Sequence, residues 1–252
     1  MHIETTVFVN GKEVGHQMSL SVPHEYDITD YVKFGKNNSI AIKIYNGIEN
    51  VGVGQDSHSV TDQTQGNWNG IVGKIELRSQ KSIFTVKTFP DLTTGNMKVL
   101  VNDKEYNLKI DNPQPWSEFT PILYTRSIVY RGDTIPVTFG FRKIEVKGRD
   151  IMLNGRPIYV RGTVENCNFP LTGYPPTDVK SWKVIIQKCK DYGINTMRFH
   201  SYCPPEAAFI AADSLGFYLQ PEGPSWPNHG VKLNHGQHID QYLTEETKKI
   251  CD

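Results

Sequence analysis

The fold of this chain is decided by residues 195–220, which read NTMRFHSYCPPEAAFIAADSLGFYLQ. Asn195–His200 predicts a strand, with apolar residues at the alternate positions Met197 and Phe199, and Phe217–Gln220 predicts another. Pro204 suits the first turn of a helix, where its missing N–H costs nothing, and Gly216 suits the end of that helix. The stretch therefore predicts a strand, a helix and a second strand with short connections, an order typical of parallel α/β units.

The same alternation continues on both sides of this stretch. Upstream, Ile151–Val160 predicts a hairpin that runs into a buried strand. Thr177 can cap a following helix and Gly193 can stop it. Helical spacing predicts that one face of this helix holds Trp182, Ile185, Ile186, Cys189 and Tyr192. Downstream, Ile239–Ile250 predicts a third helix. Residues 147–252 are thus predicted to form the first part of a parallel α/β domain.

Residues 1–80 are predicted to be all-β. Asn10-Gly11 lies between two apolar runs and supplies the positive φ angles of a type I′ hairpin turn. Tyr26–Thr29 predicts another short strand or turn. A half-buried strand is indicated by alternation of Ile40, Ile42 and Ile44, and Ile71–Leu77 predicts a closing strand. Short strands at this spacing favour a β-sandwich.

Residues 81–146 are also predicted to be β-rich. The strand candidates are Phe84–Phe89, Met97–Val101, Ile122–Tyr130 and Val137–Val146. About 65 residues is short for an immunoglobulin-like sandwich, which has about 100. The expected fold class is therefore multidomain, with two β units before an α/β unit.

Composition excludes several functions. Lys+Arg and Asp+Glu are both 27, so the chain lacks the basic footprint of a nucleic-acid-binding protein and any long-range attraction to an anionic membrane. Apolar runs stay well short of a membrane span, and the first residues predict no signal peptide. The four cysteines form no CxxC pair and are expected to be free thiols. No cofactor and no metal ion are expected.

A set of short motifs, in order and at matching spacing, resembles glycoside hydrolase family 2. They are Val9–Lys12 with Val14-Gly15, Tyr26–Thr29, Lys36–Asn38, Trp68–Gly73, Pro115–Ser117, Pro121–Tyr124, Phe139–Ile144, Leu153–Ile158, Arg161-Gly162, Asn195–Arg198 and Asp213 with Gly216–Leu219. The resemblance implies the end of a sugar-binding jelly roll over residues 1–80 and a short immunoglobulin-like domain over 81–146. It also implies the start of a TIM barrel over 147–252.

The resemblance also implies an activity. Enzymes of this family are retaining exo-glycosidases that hydrolyse terminal β-linked sugars with two glutamates, one as acid/base and one as nucleophile. The acid/base follows an asparagine, and this chain contains no Asn-Glu dipeptide. About 105 residues of barrel are too few for eight strands, which need about 250. The chain is therefore expected to lack both catalytic glutamates, and residue 1 is expected to fall inside the jelly roll.

Other positions depart from the family pattern. The family's Ser-His-Tyr-Pro is replaced here by His200–Cys203, which displaces the histidine by one residue, and such a shift moves a strand side chain to the opposite face. A histidine-rich segment after the first barrel strand is replaced by Glu165–Phe169. The acidic residue of a metal site is missing near Trp226.

Parallel strands end at one rim, where a TIM barrel collects its functional residues. The predicted sugar-binding residues at this rim are Arg198, His200, Glu222, Asn166, Asn168 and Trp226. Each has a structural alternative, such as an ion pair between Arg198 and Glu222, a turn role for the asparagines, or packing of Trp226 on the barrel rim. Trp68 is expected to pack rather than bind.

Three functions remain open from the sequence. The first is part of a family 2 exo-glycosidase, the second is a non-catalytic carbohydrate-binding or scaffold module, and the third is an adhesion protein of immunoglobulin-like domains. The α/β segment counts against the third. The expected partner is a carbohydrate, and a second copy of the chain is one way to cover the open barrel. A periplasmic or secreted location is compatible with the resemblance, but the sequence does not fix it.

Overall fold

The fold was obtained from a computed structural model. It describes residues 3–47, 49–50, 53, 70–81, 84–225 and 232–251. None of the helices in these ranges is long and apolar enough to span a lipid bilayer.

The N-terminal unit is a three-stranded antiparallel sheet. Its strands are β1 (Glu4–Val9), β2 (Lys12–Met18) and β3 (Ile40–Tyr45), in the order β2-β1-β3. Asn10 and Gly11 join β1 to β2 with φ angles of 52° and 80°, which confirms the predicted hairpin turn. Of the strand or turn predicted at Tyr26–Thr29, the turn is found, since Thr29 lies in a turn closed by a hydrogen bond from the Tyr31 amide to the Ile28 carbonyl oxygen at 2.9 Å. The strand predicted at Ile71–Leu77 is wrong, because these residues belong to no strand.

The middle unit contains two small antiparallel sheets around a shared apolar core. One sheet holds β4 (Val86–Asp91), β5 (Asn96–Val101) and β6 (Lys104–Lys109), and the other holds β7 (Tyr124–Tyr130) and β8 (Asp133–Phe139). Alternate residues of β5, β7 and β8 point into the core, as the burial of Val99, Ile128 and Val137 shows. The predicted strand Val137–Val146 is in fact two strands, because the chain leaves β8 after Phe139.

A small three-stranded antiparallel sheet links the middle unit to the α/β unit. It is formed by β9 (Ile144–Lys147), β10 (Asp150–Leu153) and β11 (Arg156–Pro157). The predicted continuation into a buried strand is wrong, because Tyr159 and Val160 are 78% and 56% exposed and lie outside any strand.

The α/β unit has three parallel strands and three helices in strict alternation. Its elements are β12 (Gly162–Glu165), α1 (Val179–Asp191), β13 (Thr196–Phe199), α2 (Glu206–Leu215), β14 (Tyr218–Gln220) and α3 (His238–Cys251). The strands lie in the order β12-β13-β14. The predicted order of elements is confirmed.

The helix boundaries correct three details of the prediction. Asp178, not Thr177, caps α1, since its carboxylate accepts a hydrogen bond from the Ser181 amide at 2.8 Å. Tyr192 is the C-cap of α1 and is 79% exposed, so it does not belong to the buried face. Helix α2 starts after Pro205 rather than with Pro204 in its first turn, although Gly216 ends it as predicted, with φ of 70°.

The two faces of the parallel sheet have different environments. On one face, Met197 and Phe199 are buried against α1 and α2. On the other face, Val164 is 53% exposed, Gln220 is exposed and the Arg198 side chain is 42% exposed. Parallel sheets in proteins are normally covered on both faces. The exposure of Val164, Arg198 and Gln220 shows that, within the described ranges, the face that carries Arg198 is not covered in this way.

The amino-terminal ends of the parallel strands are joined to the middle unit by one loop. The carboxylate of Glu118 accepts hydrogen bonds from Arg161 Nη2 at 3.2 Å and Asn195 Nδ2 at 2.6 Å, just before β12 and β13. Lys190 Nζ donates to the carbonyl oxygen of Glu118 at 2.8 Å. It also donates at 3.0 Å to the carbonyl oxygen of Gly216, which lies just before β14. The end of the sheet opposite to the predicted rim is thus fixed by polar contacts.

Helix α3 fixes the N-terminal unit to the α/β unit. An apolar cluster joins residues of the two units, namely Ile3, Leu20, Val53, Ile239 and Tyr242. Beside it, the fully buried Glu246 accepts hydrogen bonds from the loop that follows β2. The two units therefore share a packed interface.

Candidate functional site

The carboxyl-terminal ends of the three parallel strands carry most of the predicted site residues. Asn166 and Asn168 follow β12, Arg198 lies near the end of β13 with His200 just beyond it, and Glu222 follows β14. Because the strands are parallel, these positions lie at one end of the sheet.

Arg198 and Glu222 form an ion pair, which is the structural alternative to sugar binding that was predicted for these two residues. Arg198 Nε donates to Glu222 Oε1 at 2.5 Å, and the Ser201 amide donates to Glu222 Oε2 at 2.9 Å. Burial alone would raise the pKa of Glu222, but the hydrogen bonds from Arg198 and Ser201 and the positive charge of Arg198 outweigh it and lower the pKa. Glu222 is therefore an ionised acceptor and is unsuited to protonate a leaving group.

A tight turn after β13 sets the position of His200. Ser201 is fully buried and adopts a left-handed backbone conformation, with φ of 55°. The His200 amide donates to the Glu165 carbonyl oxygen at 2.9 Å, which ties this turn to the end of β12. The His200 side chain is half-buried.

A second tight turn, after β12, presents the two asparagines. Cys167 is 1% exposed, has φ of 57°, and packs its side chain into the core of the α/β unit. Asn166 and Asn168 flank it, and both are exposed. Their amide groups are thus available to hydrogen-bond a ligand at the rim.

Sequence reasoning missed the residue that holds this turn. Glu165 accepts hydrogen bonds from the Cys167 amide at 2.9 Å and the Asn168 amide at 3.2 Å. Burial raises the pKa of Glu165, and these backbone amides offset the effect only in part. No pattern of side chains signals such a role, because the donors are main-chain groups.

Trp226, which was predicted to bind sugar, and Trp68, which was expected to pack, lie outside the described residues. Within the described ranges, no group of three or more His, Cys, Asp or Glu side chains could hold a metal ion. Among the described residues, the rim offers the guanidinium of Arg198, the ionised carboxylate of Glu222, the amides of Asn166 and Asn168 and the imidazole of His200. Such groups can bind the hydroxyls of a sugar, since each hydroxyl both donates and accepts.

Comparison with solved structures finds chains that share this fold. Its fold resembles that of the β-D-glucuronidase of Dictyoglomus thermophilum, with a TM-score of 0.70 and 18% identity over 99% of this chain and 51% of that one. It also resembles a β-glucuronidase of Lactobacillus rhamnosus, with a TM-score of 0.69 and 19% identity over 97% of this chain and 48% of that one. At these identities the likeness defines the fold alone.

The sequence comparisons show similarity to one enzyme family over part of the chain. The model for glycosyl hydrolases family 2 matches residues 27–142. A β-galactosidase of Staphylococcus xylosus is 24% identical over 92% of this chain, and a putative β-glucuronidase of Formosa agariphila is 25% identical over 88% of it. The chain is therefore similar in sequence to glycoside hydrolase family 2 proteins. It spans about a quarter of the length of these relatives.

Proposed function

We propose that this chain is part of a β-glycosidase that acts on terminal β-linked sugars, and that its α/β unit is the first part of a TIM barrel whose rim binds the sugar. The observation that carries the proposal is that Arg198, Glu222 and the two exposed asparagines all lie at the carboxyl end of three parallel strands. In TIM barrels this end carries the active site.

The face of the sheet that carries Arg198 supports the barrel. Val164, Arg198 and Gln220 lie in register across β12, β13 and β14 and are at least partly exposed. In a barrel such residues form layers that fill the interior. We further propose the division into a sugar-binding unit over 1–80, an immunoglobulin-like unit over 81–146 and a barrel unit over 147–252.

Hydrolysis needs more than this chain supplies. Retaining glycosidases place two carboxyl groups about 5–5.5 Å apart, one protonated and one nucleophilic. Glu222 is ionised and bound to Arg198, and Glu165 is bound to backbone amides. With no Asn-Glu in the sequence, we expect this chain by itself to bind sugar and not cleave it.

A non-catalytic carbohydrate-binding role is the second candidate. It is favoured because the carboxylates of Glu165 and Glu222 hydrogen-bond other parts of the protein rather than standing free as an acid and a nucleophile. Under this proposal the sugar contacts are the same, and only the chemistry differs.

Two measurements test the proposal. The purified chain should release nitrophenol from β-galactoside, β-glucuronide and β-glucoside at no more than the background rate. It should bind methyl thio-β-galactoside in an NMR titration, and Arg198→Met should weaken that binding about tenfold, the scale of a lost charge-assisted hydrogen bond.

The matched control is Arg126→Met, on β7 in the middle unit, where the guanidinium donates only to the adjacent Thr125 carbonyl among the described contacts. Equal binding by both variants would place the sugar elsewhere. Turnover abolished by Glu222→Gln would make Glu222 catalytic and contradict its assignment here.

A further inference from the structure

The turns after β12 and β13 are built in the same way. Each contains a buried residue in the left-handed conformation, Cys167 with φ of 57° and Ser201 with φ of 55°. In each, the amide of that residue donates at 2.9 Å to a glutamate carboxylate, Glu165 in the first turn and Glu222 in the second. Left-handed backbone is costly for residues with a Cβ, so each turn depends on such contacts.

The two glutamates differ in one respect. Glu222 has Arg198 as a counter-ion at 2.5 Å. Within the described residues, Glu165 accepts its hydrogen bonds from main-chain amides of its own turn and forms no ion pair. A carboxylate that is partly buried without a counter-ion lowers the stability of the fold. Costly features of this kind are typical of functional sites.

The geometry of the turn indicates what Glu165 does for the site. The Cys167 side chain points into the core, so the residues on either side of it, Asn166 and Asn168, project outward. Glu165 holds the amides of Cys167 and Asn168 on its two oxygens and so fixes the backbone between the asparagines. Its carbonyl oxygen also accepts the His200 amide from the neighbouring turn.

We propose that Glu165 is a positioning residue for the sugar site, which fixes the turn so that Asn166 and Asn168 meet adjacent hydroxyls of the bound sugar. The inference rests on the proposed function. Glu165 does not touch the ligand; it acts through the two asparagines, which bind the sugar with their amide donors and acceptors.

The experiment compares Glu165→Gln with the control Glu145→Gln in the whole chain. Glu145 is an exposed glutamate on β9, paired with Lys143 at 2.7 Å. The substitution Glu165→Gln keeps one acceptor oxygen and removes the partly buried negative charge. We expect Glu165→Gln to leave the melting temperature at pH 7 unchanged or higher, yet to weaken binding of methyl thio-β-galactoside about tenfold.

A double-mutant cycle separates positioning from direct contact. In the Asn166→Ala/Asn168→Ala background, Glu165→Gln should have no further effect on binding. A further tenfold loss there, or a lower melting temperature with unchanged binding, overturns the proposal. If the unmodified chain binds no sugar, the proposed function fails and the assignment of Glu165 fails with it. Binding that Glu165→Gln leaves unchanged overturns only the role of Glu165.

Discussion

Truncation of Glu246 is expected to loosen the N-terminal unit from the α/β unit. This glutamate on α3 is fully buried, and one oxygen, Oε1, accepts three hydrogen bonds from the loop after β2. The donors are Ser19 Oγ at 2.7 Å and the amides of Leu20 and Ser21, both at 2.8 Å. The substitution Glu246→Ala would leave all three donors without this acceptor.

The magnitude follows from the burial of these donors. A buried donor left unsatisfied costs about 1–3 kcal/mol, and the Ser21 amide, which is only partly buried, belongs at the low end. The sum is about 3–7 kcal/mol. The Ser21 amide keeps the Ser19 hydroxyl as a second acceptor at 3.1 Å, so we expect the lower part of this range, about 3–5 kcal/mol, which is also the range for removing one side of a buried charged contact. The other oxygen, Oε2, forms no hydrogen bond among the described residues and lies 3.6 Å from Lys249 Nζ. The conservative variant Glu246→Gln keeps an oxygen at the Oε1 position, so it should lose only about 1 kcal/mol.

Amide hydrogen exchange is the suitable assay, because a chain of several units need not unfold in one step. The amides of Leu20 and Ser21 should exchange at least 100-fold faster in Glu246→Ala, since each 1.4 kcal/mol corresponds to a factor of ten. Urea denaturation should show an earlier transition for the N-terminal unit. The reasoning is refuted if Glu246→Gln accelerates exchange as much as Glu246→Ala, or if neither does.

Two further predictions concern a glycine and the ion pair. A Cβ at Gly216 would lie 2.7 Å from the Glu118 carbonyl oxygen in a backbone with φ of +70°, so Gly216→Ala should cost about 2 kcal/mol or more. Gly193 has φ of +76°, and a Cβ there would have no atom within 4 Å, so Gly193→Ala should cost only about 1 kcal/mol. Equal decreases in melting temperature for the two variants would contradict this expectation. The lowered pKa of Glu222 means that its ionisation stabilises the fold above its ordinary pKa of 4.5, and that this stability is lost as the pH falls through the lowered value. In the variant Glu222→Gln, the free energy of unfolding should therefore fall less steeply as the pH is lowered into the acid range. An unchanged pH dependence in that range would show that the pair contributes nothing to stability.

Local signals in the sequence were sufficient for much of the fold. Asn10-Gly11 supplied the positive φ angles of the first hairpin, and Trp182 and Ile186 marked the buried face of α1. The placing of Arg198 and Glu222 at one end of the sheet followed from strand direction alone.

Features that depend on distant contacts were not predictable in this way. Ile75 and Leu77 alternate like strand residues, but they are 69% and 77% exposed and belong to no described strand. Strand β6 (Lys104–Lys109) was missed because four of its six side chains are polar or charged, and it forms by pairing with β5. The role of Glu165 escaped notice since its donors are main-chain amides, which carry no sequence signature.

The junction at Glu118 and the site at Arg198 lie at opposite ends of the same three strands. Substitutions in the loops after β12, β13 and β14 therefore leave the contacts of Glu118 and Lys190 intact. A library of variants confined to those loops would sample new ligand preferences on an unchanged support. The same separation would let natural selection alter what this rim recognises without first rebuilding the junction that keeps the units together.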